Sequence, residues 1–319
     1  MNRSFTSLLI IALAIHGYLF ANVSGASNPA QTKQKSKSTI AGSKVRPQSR
    51  YVTANGIRIH YLEWGKSNAT VFLLHGLYDS AEVWSSVAPL LTRGYRVIAP
   101  DRRGAGLTDK PEDGYDHGTL ARDVEALIVN LNLDRVDLVG HSAGAGVGMT
   151  VAASVPERIR TLVLVDGGFW PKPSETAGPQ PQAQCDRTPE ECRRQSALES
   201  GMRAYDAESL YSRVNAPVLL LMALPAMPVA KEFASGLAEA KQHVSMVAKR
   251  KLRNGRVVFI KKSGHWIQSD QPKALALAIE SFLKQHASNK GLQRTRNQRV
   301  SHARPVSRGR FVGAADAQR

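Results

Sequence analysis

Residues 136–153 read VDLVGHSAGAGVGMTVAA, and this stretch decides how the rest of the chain is interpreted. A strand-like apolar run comes first, a run of small and apolar residues typical of a helix comes last, and Gly140-His-Ser-Ala-Gly144 lies between them. A sharp strand-to-helix turn leaves no room for side chains on either side of the serine, which explains the two glycines. The stretch therefore predicts a strand, a strained turn that exposes the Ser142 hydroxyl, and a helix.

Apolar runs and amphipathic patterns alternate on both sides of this stretch. Runs that are apolar on both faces are typical of parallel strands, whereas apolar residues spaced three and four apart indicate helices. We predict an α/β fold with a doubly wound, mostly parallel sheet. The predicted strands are a hairpin formed by Tyr51–Ala54 and Ile57–Leu62 around Asn55-Gly56, followed by Thr70–Leu74, Tyr95–Ala99, Val136–Val139, Thr161–Val165, Val218–Met222 and Arg256–Ile260, and the clearest helices cover Leu120–Leu131 and Ala274–Leu283.

Four motifs follow one another over about residues 51–286. They are His75-Gly76 with Trp84 downstream, Asp101-Arg-Arg-Gly-Ala-Gly106, the turn at Gly140–Gly144, and Gly264-His265-Trp266 followed by Pro272 and an apolar helix. In this order they resemble the motifs of the α/β-hydrolase fold superfamily. The resemblance is to its capped, secreted serine esterases and lipases, and it implies an eight-stranded sheet with a small helical cap insertion.

Serine is a weak nucleophile at neutral pH, so a neutral imidazole must accept its proton during attack. The resemblance implies that Ser142 is the nucleophile and that His265 is the base. It assigns the two oxyanion-hole N–H donors to Leu77 and Ala143, supported by the loop residues His75, Gly76, Gly140 and Gly144.

Of the other histidines, His75 and His141 are expected to shape loops, and His60 and His243 fit surface or strand positions.

The triad acid departs from the commonest pattern of the family, which places an Asp shortly after the seventh strand. No acid occurs there before Glu232. Asp166 follows the sixth strand, where some relatives carry their acid, and it lies between Ser142 and His265 in the chain. We predict Asp166 as the orienting acid, with Glu232 second and a dyad without an acid third. The alternative is that Asp166 is only a polar strand end.

About 50 residues without a strand pattern separate the sixth and seventh strands, and we predict a cap insertion at about 167–217. Thr188-Pro-Glu-Glu191 is a capping box with proline at the first helical position, which predicts a helix start. Cys185 and Cys192 flank that start. In an exported protein they are candidates for a disulfide, with two free thiols as the alternative. Phe169, Trp170, Tyr205 and Leu210 suggest an apolar pocket, although core packing explains them equally well.

The chain carries 43 Lys and Arg against 26 Asp and Glu, a formal net charge of +17, but the excess belongs to the ends. Residues 51–286 hold 28 basic and 25 acidic residues. We predict a signal peptide at 1–26, a basic disordered linker at 27–50 and an Arg-rich disordered tail at 287–319. The protein is expected to be secreted or periplasmic with no transmembrane span, an uncleaved anchor being the alternative. The basic tails are candidates for contact with anionic surfaces, and no specific nucleic-acid binding is predicted.

The leading functional hypothesis is a serine hydrolase of the carboxylesterase or lipase type that acts on a small-molecule ester and needs no cofactor or metal. Amidase, lactonase and aminopeptidase variants would use the same triad. A non-catalytic binding protein with a hydrolase-like fold is the alternative from another class. A serine at position 142 argues against epoxide hydrolase and haloalkane dehalogenase relatives, whose nucleophile at this position is Asp. Only two cysteines are present, which excludes a disulfide-dense scaffold.

Overall fold

The computed structural model describes residues 45–169, 188–224, 241–252 and 254–287. Eight strands of this part of the chain form one sheet in the order β1-β2-β4-β3-β5-β6-β7-β8. The first two pairings, β1 with β2 and β2 with β4, are antiparallel, and the others are parallel. The predicted fold class is therefore confirmed. The strands are β1 Gln48–Ala54, β2 Ile57–Trp64, β3 Thr70–Leu74, β4 Arg96–Pro100, β5 Val136–His141, β6 Ile159–Val165, β7 Val218–Leu224 and β8 Arg256–Lys261.

Helices cover both faces of the sheet, as the alternating sequence pattern predicts. The apolar stripe of α2 is buried over Leu120, Val124, Leu127 and Ile128, and it packs with α3 into one core cluster. The opposite face carries a second cluster, to which α1 and α6 contribute. The α-helices are α1 Ala88–Leu91, α2 His117–Asn130, α3 Ala143–Ser154, α4 Pro189–Arg203, α5 Ile267–Asp270 and α6 Pro272–Ala287; 3₁₀ turns lie at Ala81–Trp84, Pro156–Arg158 and Tyr211–Arg213, and a π-helix at Val247–Lys251.

The folded domain begins earlier than the sequence predicts. Strand β1 starts at Gln48, whereas we place the domain boundary at Tyr51, so the last residues of the predicted linker pair with β2. This edge strand is exposed over most of its length, and its first residues therefore carry no alternation of apolar and polar side chains. The turn at Asn55-Gly56 closes the hairpin with both residues at positive φ, as the dipeptide predicts.

Helix α4 begins with the predicted capping box. The Glu191 N–H donates to Thr188 Oγ1 at 3.3 Å, and the Thr188 N–H donates to Glu191 Oε2 at 3.1 Å. Cys192, in the first turn of this helix, is disulfide-bonded. Cys185 is the other cysteine of the chain and lies outside the described residues.

Several predicted segments lie outside the described residues: the signal peptide at 1–26, most of the linker, residues 288–319 of the tail, and 170–187 of the cap insertion. Within the described ranges, no helix combines the length and the apolar composition that a bilayer span requires.

Candidate active site

Ser142 occupies a strained turn between β5 and α3. Its φ of 53° and ψ of −119° place a non-glycine residue in a region that L-amino acids rarely adopt. A Cβ on Gly140 would lie 2.4 Å from the carbonyl oxygen of Gly144, and one on Gly144 would lie 2.4 Å from that of His75. The two glycines are needed because backbone passes closely on both sides of the serine. This is the local geometry that the Gly-x-Ser-x-Gly sequence predicts.

Asp166 lies beside Ser142 because β5 and β6 are parallel neighbours. Their last pair joins His141 to Val165, and the Ser142 N–H donates to the Val165 carbonyl oxygen at 2.9 Å. Asp166 therefore follows at the carboxyl edge of the sheet, with a φ of 48°. A Cβ on the next residue, Gly167, would lie 2.6 Å from Ser142 Cα, so this chain segment runs directly against the serine.

His265 and Asp166 form a hydrogen-bonded pair. His265 lies in the loop between β8 and α5, and its Nδ1 is 2.8 Å from Asp166 Oδ2. The other carboxylate oxygen, Oδ1, accepts a hydrogen bond from the Ala223 N–H at 3.1 Å. Because Nδ1–H donates to the carboxylate, the imidazole presents Nε2 as its free acceptor. The sequence-predicted acid and base are therefore in contact, although their residues are 99 positions apart.

Ser142 and His265 are neighbours whose side chains are not hydrogen-bonded to each other in the described part of the chain. In serine hydrolases this bond often tightens only in the Michaelis complex. The His265 ring packs 4.7 Å from the ring of His141, the residue that precedes Ser142, and makes an edge contact with Trp266 at 5.4 Å. The imidazole thus lies next to the serine turn.

The His141 side chain is hydrogen-bonded to the loop that carries His265. Its Nε2 donates to the backbone carbonyl oxygen of His265 at 2.8 Å, and its Nδ1 accepts from Gln268 Nε2 at 3.3 Å. Burial, and to a smaller extent the neighbouring His265, lower the pKa of His141 to about 3. The ring is therefore neutral at physiological pH, as its two hydrogen bonds require. The sequence suggested a loop-shaping role for His141, but it carried no signal for Gln268.

Two backbone N–H groups beside Ser142 are available to a ligand. Ala143 is the first residue of α3, where an N–H has no partner within the helix. Leu77 follows Gly76, and a Cβ on that glycine would lie only 3.3 Å from Ser142 Cβ. Within the described residues, neither the Leu77 nor the Ala143 N–H donates a hydrogen bond. These are the donors that the resemblance implies for an oxyanion hole.

Asp79 is a carboxyl group near the site that sequence reasoning missed. Burial raises its pKa, while a hydrogen bond from the Trp266 side chain and the nearby charges of Arg102 and His265 lower it. No motif of the sequence marks Asp79, because its partners come from the loop after β4 and from the loop that carries His265.

Other predicted residues are placed as follows. Phe169 is fully buried in the core, and Tyr205 donates from its hydroxyl to the Gly168 carbonyl oxygen at 2.8 Å. Trp170 and Glu232 lie outside the described residues. Where the structure describes the chain, no group of three His, Cys, Asp or Glu side chains is arranged to hold a metal ion.

A mostly parallel eight-stranded sheet with a serine at the turn after its fifth strand is the architecture of the α/β class of hydrolase folds. A family model described as the alpha/beta hydrolase fold matches residues 69–236, more than half of the chain. The chain therefore belongs to the α/β-hydrolase fold family.

Curated relatives match over about a third of this chain. The chain is 38% identical over 112 residues to a soluble epoxide hydrolase of Corynebacterium sp. (strain C12), covering 35% of this chain and 39% of that protein. It is 42% identical over 116 residues to a non-heme chloroperoxidase of Streptomyces lividans, covering 35% and 42% respectively. The chain thus spans about two fifths of the length of these relatives.

The solved structures match over a longer range. A serine hydrolase involved in carbazole degradation superposes with a TM-score of 0.59 at 25% identity, over 75% of this chain and 99% of that one. A membrane phospholipase A superposes with a TM-score of 0.60 at 23% identity, over 76% and 87%. At this level of identity the likeness concerns the fold.

Proposed function

We propose that the protein is a serine hydrolase that cleaves carboxylic esters through an acyl-enzyme on Ser142, with His265 as general base and Asp166 as orienting acid. The observation that carries the proposal is the 2.8 Å hydrogen bond between His265 Nδ1 and Asp166 Oδ2, formed beside a serine in a strained strand-to-helix turn. Two free N–H groups at the same turn support it.

Acylation follows from this arrangement. Ser142 Oγ attacks the ester carbonyl carbon while His265 Nε2 accepts the hydroxyl proton. Asp166 keeps the imidazole in the tautomer whose Nε2 is free, and it stabilises the imidazolium that forms. The carbonyl oxygen becomes an oxyanion, which accepts hydrogen bonds from the Leu77 and Ala143 N–H groups.

The second half of the reaction returns the enzyme to its starting state. The tetrahedral intermediate collapses, the bond to the leaving oxygen breaks, and His265 donates its proton to that alcohol. A water molecule then attacks the acyl-enzyme, again with His265 as base, and releases the carboxylic acid. The same groups serve both halves, which explains why one imidazole suffices.

The alternatives differ in what they require of Ser142. The named activities of the relatives include epoxide hydrolysis, which in this fold uses Asp at the nucleophile position, so a serine there favours acyl transfer over epoxide hydrolysis. Amides and lactones would use the same triad and differ only in the pocket. A non-catalytic binding protein would not need the strain at Ser142 or two unpaired N–H donors.

The test combines a fluorophosphonate probe with a chromogenic panel of esters of increasing acyl length, aminoacyl amides and lactones. Wild-type protein should be labelled, and Ser142→Ala should lose both labelling and turnover. Ser49→Ala is the matched control, because the Ser49 hydroxyl lies 2.8 Å from a histidine ring nitrogen, His60 Nε2, on a strand away from the serine turn. Absence of labelling in the wild type would favour the binding-protein alternative, and turnover of amides alone would replace the ester assignment.

We also propose that the protein is exported after cleavage of residues 1–26. The support comes from the sequence: Arg3, a short apolar run and small residues at Ser24-Gly-Ala26. Mass spectrometry of protein recovered from the extracellular or periplasmic fraction should find a new N-terminus at or near residue 27. An intact N-terminus in the membrane fraction would instead support the uncleaved anchor.

A further inference from the structure

The peptide that joins Gly76 to Leu77 is held through its carbonyl oxygen by two donors. His75 Nδ1–H donates to the Gly76 oxygen at 2.8 Å, and Arg102 Nη2 donates to the same atom at 2.7 Å. The tautomer of His75 is set by the Arg102 backbone N–H, which donates to Nε2 at 2.9 Å. Both lone pairs of the Gly76 oxygen are therefore occupied by groups that belong to two different loops.

A planar peptide unit carries its C=O and N–H in opposite directions, so fixing one fixes the other. The N–H of this unit belongs to Leu77 and is one of the two proposed oxyanion donors. A hydrogen bond from a charged guanidinium to the carbonyl also polarises the peptide and strengthens its N–H as a donor. The Arg102 side chain thus acts on the N–H without touching the substrate.

Burial of the charged Arg102 side chain at this position costs free energy. Arg102 is only 8% exposed, and its Nε is buried without a hydrogen-bond partner in the described part of the chain. Burial lowers its pKa to about 10, and Asp79 offsets part of that effect. Its side-chain hydrogen bond goes to the Gly76 oxygen. The neighbouring Arg103 differs, because it makes two bonds of 2.9 Å to Asp123 and none to the oxyanion loop.

We propose that Arg102 is a positioning residue of the oxyanion hole, which orients and polarises the Gly76–Leu77 peptide for the transition state. The inference rests on the proposed function, since it requires an oxyanion at Leu77. Such a residue should affect kcat much more than KM, because the oxyanion exists only in the transition state.

The experiment compares an ester with its thionoester, in which sulfur replaces the carbonyl oxygen and accepts hydrogen bonds poorly. In wild-type enzyme the oxyanion hole should favour the ester strongly. Arg102→Met should lower kcat on the ester about 10- to 100-fold with KM within about threefold, and should lower the ester-to-thionoester ratio of kcat/KM about tenfold. Arg102→Lys retains a cation, so it should lower both kcat on the ester and the ester-to-thionoester ratio of kcat/KM less than Arg102→Met does.

Arg103→Lys is the matched control, because it disturbs a buried ion pair one residue away and should leave the ratio unchanged. Circular dichroism and thermal melting establish that each variant is folded, and Arg102→Lys carries the test if Arg102→Met does not fold. An unchanged ratio in the Arg102 variants, with turnover that still depends on Ser142, would overturn the inference alone. Wild-type protein without Ser142-dependent turnover would overturn the proposed function and the inference with it.

Discussion

Among the residues that the structure describes, two Ser–His–Asp sets have the same histidine–aspartate distance. In the Ser142 set, His265 Nδ1 lies 2.8 Å from Asp166 Oδ2. In the other, which we call the Ser49 set, His60 Nδ1 lies 2.8 Å from Asp101 Oδ2, and His60 Nε2 lies 2.8 Å from Ser49 Oγ. The Ser49 set is the more completely hydrogen-bonded of the two, yet we assign the chemistry to the other.

The difference lies in the backbone around each serine. Ser49 is the second residue of the exposed edge strand β1, in regular antiparallel pairing with β2. Ser142 has a strained backbone at the start of a helix, with the unpaired N–H groups of Leu77 and Ala143 beside it. A hydrogen-bonded relay can remove a proton from a serine, but it cannot stabilise the oxyanion that attack creates. We therefore propose that it is the pair of oxyanion donors that would make the Ser142 set catalytic and the Ser49 set structural.

The two carboxylates also have different tasks. Asp101 accepts hydrogen bonds from the Ala81 N–H at 2.7 Å and from the Leu107 N–H at 2.8 Å, in addition to the one from His60. It therefore connects the 3₁₀ turn that begins at Ala81, the loop at Leu107 and strand β2. Asp166 accepts from two described groups, His265 and the Ala223 N–H. Asp101 is therefore mainly a structural residue, whereas Asp166 is placed to orient an imidazole.

The largest expected effect is that of Asp166→Asn on turnover. The amide would favour the wrong tautomer of His265, and kcat should fall about 10³- to 10⁴-fold while the fold is retained. The measurement is steady-state hydrolysis of the best ester of the panel, with a thermal melt of the same preparation. Full activity in Asp166→Asn would contradict the assignment of Asp166 as the orienting acid, and Glu232 would then be the next candidate for that role.

Next in size is the effect of Asp101→Asn on stability. The amide can no longer accept from all three donors, and at least one buried N–H loses its partner. The free energy of unfolding should fall by about 2–4 kcal/mol, whereas kcat of the folded fraction should change only a few-fold. Urea unfolding measures the free energy of unfolding. Active-site titration with the fluorophosphonate probe gives the concentration of folded enzyme from which kcat is calculated.

Asp109→Asn is the control for this stability effect, since Asp109 also accepts a backbone N–H, that of Arg58, but at the surface. Asp109→Asn should lower the free energy of unfolding by less than about 1 kcal/mol. If Asp101→Asn lost as much turnover per folded molecule as Asp166→Asn, the division between a structural and a catalytic set would be wrong.

These assignments show which features the sequence could predict. The strands, the serine turn and the capping box of α4 depend on neighbouring residues, so local patterns were sufficient. Asp166 was predicted because its place after the sixth strand and the chain order matched a known arrangement. The start of β1 at Gln48 was missed because an exposed edge strand needs no apolar alternation.

The contacts that local patterns could not predict depend on strand register. His60 and Asp101 are 41 residues apart and meet only because β2 pairs with β4, with Tyr61 opposite Pro100. His60 fitted a surface or a strand position in the sequence; it lies in β2 and is 4% exposed. The contact of Arg102 with Gly76 likewise joins two loops that adjacent strands bring together, and no short motif encodes such a pair.

The third prediction concerns acid sensitivity, which should originate around the Ser142 set. Burial lowers the pKa of His117 to about 4 and that of His141 to about 3, and it lowers the pKa of His75 well below its ordinary value. The unfolded chain binds protons at these residues below pH 6.5 while the folded protein does not, so stability falls as the pH falls. The raised pKa of Asp79 acts in the opposite direction.

His117→Gln isolates one of these contributions. His117 stacks on Tyr205 and donates toward the Gly201 carbonyl oxygen, which a glutamine amide can also reach. Between pH 7 and pH 5 the variant should lose about 2 kcal/mol less unfolding free energy than the wild type does. Urea unfolding at both pH values provides the comparison, with Ser49→Ala as a control that should behave like the wild type. An equal loss in His117→Gln would place the acid sensitivity elsewhere.

The smallest expected effect is that of Ser49→Ala, and it tests the comparison most directly. Removing the hydroxyl deletes one hydrogen bond to His60 at an exposed strand, so unfolding free energy should fall by about 0.5–1.5 kcal/mol. Turnover and probe labelling should remain within about twofold of the wild type, because no acyl group is transferred to this serine. Residual labelling of Ser142→Ala that disappears in the double variant with Ser49→Ala would contradict this view. It would mean that a hydrogen-bonded relay suffices for acylation without the strained turn and the oxyanion donors.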